Sequence, residues 1–390
     1  LVERLRDFNM SVDPSLLVRD LSTGVRQALQ IIRTLSLDPQ VLILDEPTTS
    51  LDVHEAKELF ALLQTLRNAG TSILYITHHL SELYGLADRV TVLRDGKLVG
   101  TRETEDTTED ELVRMMVGRD ISDLYAKDAF TSQSSRIGEE YLRVENFSAP
   151  GLVQDINFSL HRGEILGFFG LIGAGRTELM KSLLGVYHTE TSGRFLYDGK
   201  PLRLRGMKDA IHRSIAYLPE DRKEQGLFLH LALDENLIAP QIERFSPKFG
   251  LLSKQRVREF AQTMQETVNI IASSLRQSVR QLSGGNQQKV LLGMWVGIDP
   301  HVLIVDEPTK GVDVGTKQLI YRKLREIADS GIGIILVSSD LPEIIQLSDR
   351  VLVMHEGGIA GEVGRQDATE ESIMGLATGV SHQTEEMGGD

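Results

Sequence analysis

Residues 302–313 read VLIVDEPTKGVD, and residues 41–52 read VLILDEPTTSLD. In each, four apolar residues precede an acid pair. That is the pattern of a short parallel strand buried on both faces, with polar chemistry beginning where the strand ends. The match extends both ways at a constant offset of 261 residues. LSTG at 21–24 answers LSGG at 282–285, and ITHHLSE at 76–82 answers VSSDLPE at 337–343. LADRVTVLRDG at 86–96 answers LSDRVLVMHEG at 347–357 without a gap. Two copies of one α/β fold are therefore expected.

The second copy has a Gly-rich stretch upstream, GLIGAGRT at 170–177, whose counterpart would fall before residue 1. Counting from Tyr141, where the second copy begins, about 120 residues of the first copy lie outside the chain. The chain also opens on Leu1 rather than Met. The expectation is the C-terminal three quarters of a longer polypeptide. Residues 1–118 would be the end of the first copy and 119–140 a linker. Residues 141–379 would be a complete second copy, and 380–390 a polar tail.

Composition sets limits. The 390 residues carry a net charge of −14, which disfavours an electrostatic nucleic-acid binder. There is no cysteine, so no thiolate or disulfide chemistry. No apolar run approaches the roughly 20 residues of a membrane-spanning helix. Periodicity predicts helices over 26–35 and 53–68, a strand at TSILYIT, and a hairpin turned at Asp95-Gly96. Residues 141–166 read as short alternating strands, and 233–297 as largely helical.

GLIGAGRT has the form G-x-x-x-x-G-Arg-Thr, with Arg where Lys is usual. It follows an apolar strand and opens a helix, so its backbone N–H groups would cradle phosphates. A structural strand–helix turn is the alternative for the motif alone. A downstream acidic strand end favours the phosphate reading. There Asp306 suits Mg²⁺ through water, with a hydroxyl from Thr177, and Glu307 would orient an attacking water. Asp45 and Glu46 are the equivalents in the first copy.

LSGGNQQ completes the set, and with it the chain resembles the ATP-binding cassette (ABC) family. The resemblance implies two P-loop NTPase (RecA-like) cassettes, the first truncated. Each would have a helical subdomain and a small antiparallel β subdomain. It implies ATP and Mg²⁺ as the bound groups. The nucleotide-binding set would be Phe147 stacking on adenine, Gly170, Gly173, Ala174, Gly175, Arg176, Thr177 and Glu178. The Ser-Gly-Gly turns of Ser283, Gly284 and Gly285, and of Ser22, Thr23 and Gly24, would each face the nucleotide of the opposite cassette. Asp45, Asp306, Thr177 and Glu220 would serve the metal, and Glu46, His78 and Glu307 the reaction. Ser339 stands where His78 has its counterpart. With Arg176 in the P-loop, this makes the second site the degenerate one.

GAGRTEL, PEDRKEQGL, LSGGNQQKV, DEPTKGVDVG and SSDLPE together resemble the ATPase subunit of monosaccharide importers (ribose, galactose or xylose), with nucleoside importers close by. Integral-membrane permease subunits and an extracytoplasmic sugar-binding protein are the implied partners. The chain would sit peripherally, through the permease, on the cytoplasmic face of the cell membrane. A soluble tandem-cassette translation factor is the rival. The short, acid-leaning linker weighs against it.

Overall fold

A computed structural model describes residues 13, 16–18, 21, 23–35, 39–48, 53–77, 80–94, 97–117, 137–171, 173–187, 190–246 and 252–379. Ser22, His78, the Asp95-Gly96 turn, most of the 119–140 segment and the 380–390 tail lie outside these residues. The chain divides near residue 121 into two compact units.

The first unit runs α1 (Thr23–Leu35), β1 (Val41–Asp45), α2 (Val53–Asn68), β2 (Ser72–Ile76), β3 (Arg89–Arg94), β4 (Lys97–Glu103) and α3 (Glu109–Val117). Strands β1 and β2 pair in parallel from Val41↔Ser72 to Asp45↔Ile76. One face of this pair is buried: Leu42 and Leu44 cluster with Ile31 and Ile32 of α1 and with Leu59 and Leu63 of α2. The other face is apolar and uncovered. Val41 is 60% exposed, Ile43 62%, Leu74 55% and Ile76 45%.

The second unit begins with β5 (Glu140–Ala149), β6 (Val153–His161), β7 (Ile165–Gly170), α4 (Arg176–Leu183), β8 (Ser192–Tyr197) and β9 (Lys200–Pro201). It continues with α5 (Met207–His212), β10 (Ile215–Leu218), α6 (Leu233–Ile238), α7 (Lys254–Thr267) and α8 (Gly284–Val296). It ends with β11 (Val302–Asp306), α9 (Val314–Asp329), β12 (Gly333–Val337), α10 (Leu341–Leu347), β13 (Arg350–His355), β14 (Gly358–Gly364) and α11 (Glu370–Ala377). Six strands form one sheet in the order β10-β11-β12-β7-β13-β14. All its pairings are parallel except β13 with β14. A second, antiparallel sheet has the order β6-β5-β8-β9.

Every residue of β7, β11 and β12 is buried, as their unbroken apolar runs require in a sheet covered on both faces. The faces separate two cores. Phe168 joins Phe158 and Leu183 in one, and Phe169 joins Leu291 and Leu324 in the other. Among the described residues, the four-stranded antiparallel sheet and the helical group α6–α8 occur in the second unit.

The sequence repeat is also a repeat of geometry. Val302↔Gly333 starts the β11–β12 register just as Val41↔Ser72 starts that of β1–β2. Both hairpins carry a register shift at equivalent places, Val92/Leu93 and Val353/Met354. The counterparts of the uncovered apolar face are buried: Val302 is 0% exposed, Ile304 3%, Ile335 1% and Val337 1%.

Phe168 lies at the centre of this packing, its ring 5.1 Å from that of Phe158 at 78°. Phe168→Ala should lower the unfolding free energy by about 3–5 kcal/mol. Phe168→Leu should cost much less. Urea denaturation followed by circular dichroism measures both.

Candidate functional site

Strands β7, β12 and β11 are adjacent and parallel, so their carboxyl ends open at one edge of the sheet. The Gly-rich loop leaves there from β7, whose last residue is Gly170. Gly173 and Gly175 have φ of +84° and +94°, a region that residues with a Cβ rarely enter. A Cβ on Gly175 would also lie 3.2 Å from the Leu152 carbonyl oxygen. Ala174 between them is 6% exposed. Helix α4 then starts at Arg176 with no side-chain cap, so its first N–H groups remain for an anion. Glu178 occupies its first turn.

The acidic strand end meets this loop. Thr177 Oγ1 donates to Asp306 Oδ2 at 2.8 Å, and the Tyr217 hydroxyl donates to the same oxygen at 2.9 Å. Asp306 is fully buried, and its Oδ1 has no hydrogen-bond partner. Burial pushes the carboxyl up to about 6, partly opposed by the Thr177 and Tyr217 hydrogen bonds. An unpartnered buried carboxylate oxygen beside a threonine hydroxyl fits a hard divalent cation. Mg²⁺ is commonly held by one or two carboxylates plus phosphate and water.

Glu307 turns out of the strand with φ +48°, its N–H bonded to the Val337 carbonyl at 2.8 Å. Its Oε1 accepts from the Ser339 N–H at 2.8 Å and pairs with Arg176 Nη1 at 3.4 Å. This ion pair was not foreseen. The P-loop cation lies on the would-be catalytic carboxylate, and both side chains are 11% exposed. Glu46 repeats the bend, with φ +45° and its N–H 2.8 Å from the Ile76 carbonyl. Asp45 beside it is exposed at the end of β1.

Three of the expected positions have neighbours that the sequence did not show. Phe147 is 5% exposed and belongs to the buried cluster of Ile156, Leu166 and Leu183. Its ring packs the core rather than standing free to stack on a base. Glu220 meets Lys310 at 2.7 Å, and its charge helps to raise the Asp306 carboxyl. Gly285 is small for a reason inside its own unit: a Cβ there would stand 2.6 Å from Thr316 Oγ1 and 3.2 Å from Thr316 Cβ. Ser283 does cap α8, its Oγ accepting from the Asn286 N–H at 3.4 Å. Thr23 and Gly24 open α1. A cavity of about 750 Å³ lined by Phe147, Tyr187, Phe195 and Arg203 contains none of the Gly-rich loop. The phosphate chemistry lies elsewhere, at the Gly-rich loop.

A family model described as "ABC transporter" matches residues 153–310. Another, described as "AAA domain, putative AbiEii toxin, Type IV TA system", matches residues 4–83. The chain is 46% identical over 374 residues to the ribose import ATP-binding protein RbsA of Ruegeria sp. (strain TM1040), covering 96% of this chain and 73% of that protein. It is 42% identical over 384 residues to a putative ribose/galactose/methyl galactoside import ATP-binding protein of Geobacillus kaustophilus, covering 98% and 74%. Among solved structures, MJ1267, an ATP-binding cassette of an ABC transporter in its ADP conformation, superposes with a TM-score of 0.53. It is 21% identical and covers 62% of this chain and 100% of that one. At that identity the likeness concerns the α/β fold.

The buried Asp306 charge has a stability cost with a definite sign. Its value in the fold lies above the ordinary 3.8. Below that ordinary value, folded and unfolded chains both hold the proton and nothing is lost. Above about 6 the folded chain buries a charge that the unfolded chain exposes to water. The difference corresponds to about 3 kcal/mol. Asp306→Asn should therefore raise the melting temperature by several degrees at pH 8, with the gain vanishing toward pH 4. The same variant should lose the tightening of nucleotide binding by Mg²⁺. Thermal denaturation across pH, and nucleotide titration with and without Mg²⁺, check the two halves.

Proposed function

The chain belongs to the ATP-binding cassette family of transport ATPases, and from that premise we propose that it is the ATP-hydrolysing subunit of a monosaccharide importer of the ribose or galactose kind. The observation that carries the nucleotide site is the 2.8 Å contact of Thr177 with Asp306, which sets a phosphate-cradling loop against a buried acid. The relatives named for ribose and galactoside import support the sugar class. Residues 1–118 would belong to one cassette, and 141–379 would form another.

Thr177 and Asp306 would hold Mg²⁺, which neutralises phosphate charge when bound. The loop from Gly170 to Gly175 and the start of α4 would bind the phosphates. Ser22 and Gly24, with Ser283, Gly284 and Gly285, would supply further N–H groups at helix starts. Glu46 would orient the attacking water, with His78 beside the γ-phosphate. Glu307 has the same backbone bend, but Arg176 holds its carboxylate. An arginine fork is also a poor substitute for a compact ammonium at β- and γ-phosphates. The site built on Asp306 is therefore assigned mainly to binding, and hydrolysis to Glu46. Glu220, bound to Lys310 on the segment after β10, would respond to the state of the site and relay it to the permease. No helix among the described residues is long and apolar enough to cross a membrane. Attachment to the cytoplasmic face would come through permease subunits, with an extracytoplasmic sugar-binding protein delivering the substrate.

In the protein assembled with its permease, Glu46→Gln should cut phosphate release by about 10²–10³-fold. Glu307→Gln should change it less than about threefold, since its carboxylate is tied to Arg176. Equal losses would refute the division of labour.

Cells lacking the gene should lose uptake of labelled ribose or galactose and keep uptake of nucleosides. The reverse pattern would move the assignment to a nucleoside importer.

A further inference from the structure

We propose that Glu343 and Glu82 are positioning residues, each holding the threonine that follows the acid pair and so fixing the bend that aims Glu307 and Glu46. The proposal rests on the reading of Glu46 as the water-orienting group, with Glu307 keeping the same bend in the site assigned to binding.

Glu343 sits in the first turn of α10 and is 1% exposed. Its Oε1 accepts from Thr309 Oγ1 at 2.7 Å, and Thr309 is 2% exposed. The Glu343 N–H donates to Asp340 Oδ1, the cap of α10, at 3.2 Å. The Ser339 N–H, next in the chain, donates to Glu307 Oε1 at 2.8 Å, and the Glu307 N–H donates to Val337 at 2.8 Å. These four bonds close a ring. It runs from the end of β12 through Ser339 and the first turn of α10, across to Thr309, and back to Glu307. The Thr309–Glu343 bond ties the loop after Glu307 to the helix.

The first unit repeats the clamp with different accessories. Thr48 Oγ1 donates to Glu82 Oε1 at 2.6 Å. Glu82 Oε2 accepts from Tyr75 and from Thr77, each at 2.8 Å. Ser338 and Leu336 occupy the positions of Thr77 and Tyr75 in the second unit, so the phenol has no replacement. Glu343 Oε2 is correspondingly buried without the phenol that Glu82 has, and Ser338 is the hydroxyl left on that side. Burial pushes the Glu343 carboxyl up to about 7, but Oε1 accepts from Thr309 whether or not the other oxygen is protonated. The threonine–glutamate bond is thus common to both units, while the neighbouring groups have changed.

The clamp has a purpose because the bend is strained. Glu46 and Glu307 both have positive φ, which costs a residue with a side chain about 1–3 kcal/mol and persists only where neighbours hold it. Released, the loop would relax toward ordinary backbone angles and carry the carboxylate away from the water. Binding, made by other groups, would survive.

The test uses the full-length protein with its permease, measuring kcat and KM for ATP, binding of a fluorescent ATP analogue, and the melting temperature. Glu82→Ala and Thr48→Val should each lower kcat about tenfold or more, with KM and analogue affinity within about threefold. Glu82→Gln, which keeps an oxygen to accept from Thr48, should recover at least about a third of the lost turnover. The double variant should be no worse than either single one. Should Glu82→Ala fail to fold, Thr48→Val removes the same bond while exchanging only a hydroxyl for a methyl, and it decides the matter. A kcat within twofold of the unaltered protein for Thr48→Val, or no advantage of Gln over Ala, would overturn the proposal. Glu46→Gln, run alongside, separates the two readings. If it is inactive while Thr48→Val is not, the clamp alone falls. If it keeps full turnover, the role of Glu46 falls and the clamp with it.

Discussion

The hydrogen bond from Thr177 to Asp306 joins residues 129 positions apart, and much of the second unit exists to make it possible. Thr177 can arrive only if a buried strand delivers the chain to the sheet edge and a loop of left-handed glycines turns it into a helix. Asp306 can wait there only because β11, buried along its whole length, ends at it. A parallel sheet covered on both faces offers no other place for polar chemistry. The cost is a carboxylate held in a dry setting, with one oxygen left for something not supplied by the protein. Such an arrangement is hard to explain as packing, because packing alone would favour an uncharged residue.

The repeat shows which parts of this design tolerate change. Strand register, the left-handed glutamate and the threonine–glutamate contact are the same in both units. The groups around them differ, as Leu336 against Tyr75 shows. Arg176 is the telling difference, since its fork reaches Glu307. Two copies of a scaffold have kept the backbone geometry of a reaction centre while one has redirected its charges.

Local runs made the central strands legible. VLIVD and EILGFF form the fully buried strands that their apolar runs call for, VLILD forms the same strand with one face buried, and the 261-residue register doubled the information. The Gly-rich loop and acid pair were legible for the same reason, because their chemistry is contiguous. The core setting of Phe147 was one of two open to it, because an alternating strand does not reveal which face meets the core. Lys310 opposite Glu220 was hidden because the two lie 90 positions apart. The Arg176–Glu307 pair and the Thr–Glu clamp join distant segments, so no window of sequence contains them. The clamp did leave a trace: Glu82 and Glu343 keep the common offset, as do Thr48 and Thr309. For Gly285 the sequence suggested room for a ligand, and the structure adds a neighbouring threonine that needs the same space.

The outer face of β1 and β2 has a practical side. Val41, Ile43, Leu74 and Ile76 form an adhesive stripe on adjacent strands, where a well-behaved soluble surface would interpose lysine or glutamate. A preparation of these 390 residues will tend to clump through this stripe as its concentration rises. The high negative charge will delay this in dilute salt, and added salt will hasten it by screening the repulsion between molecules.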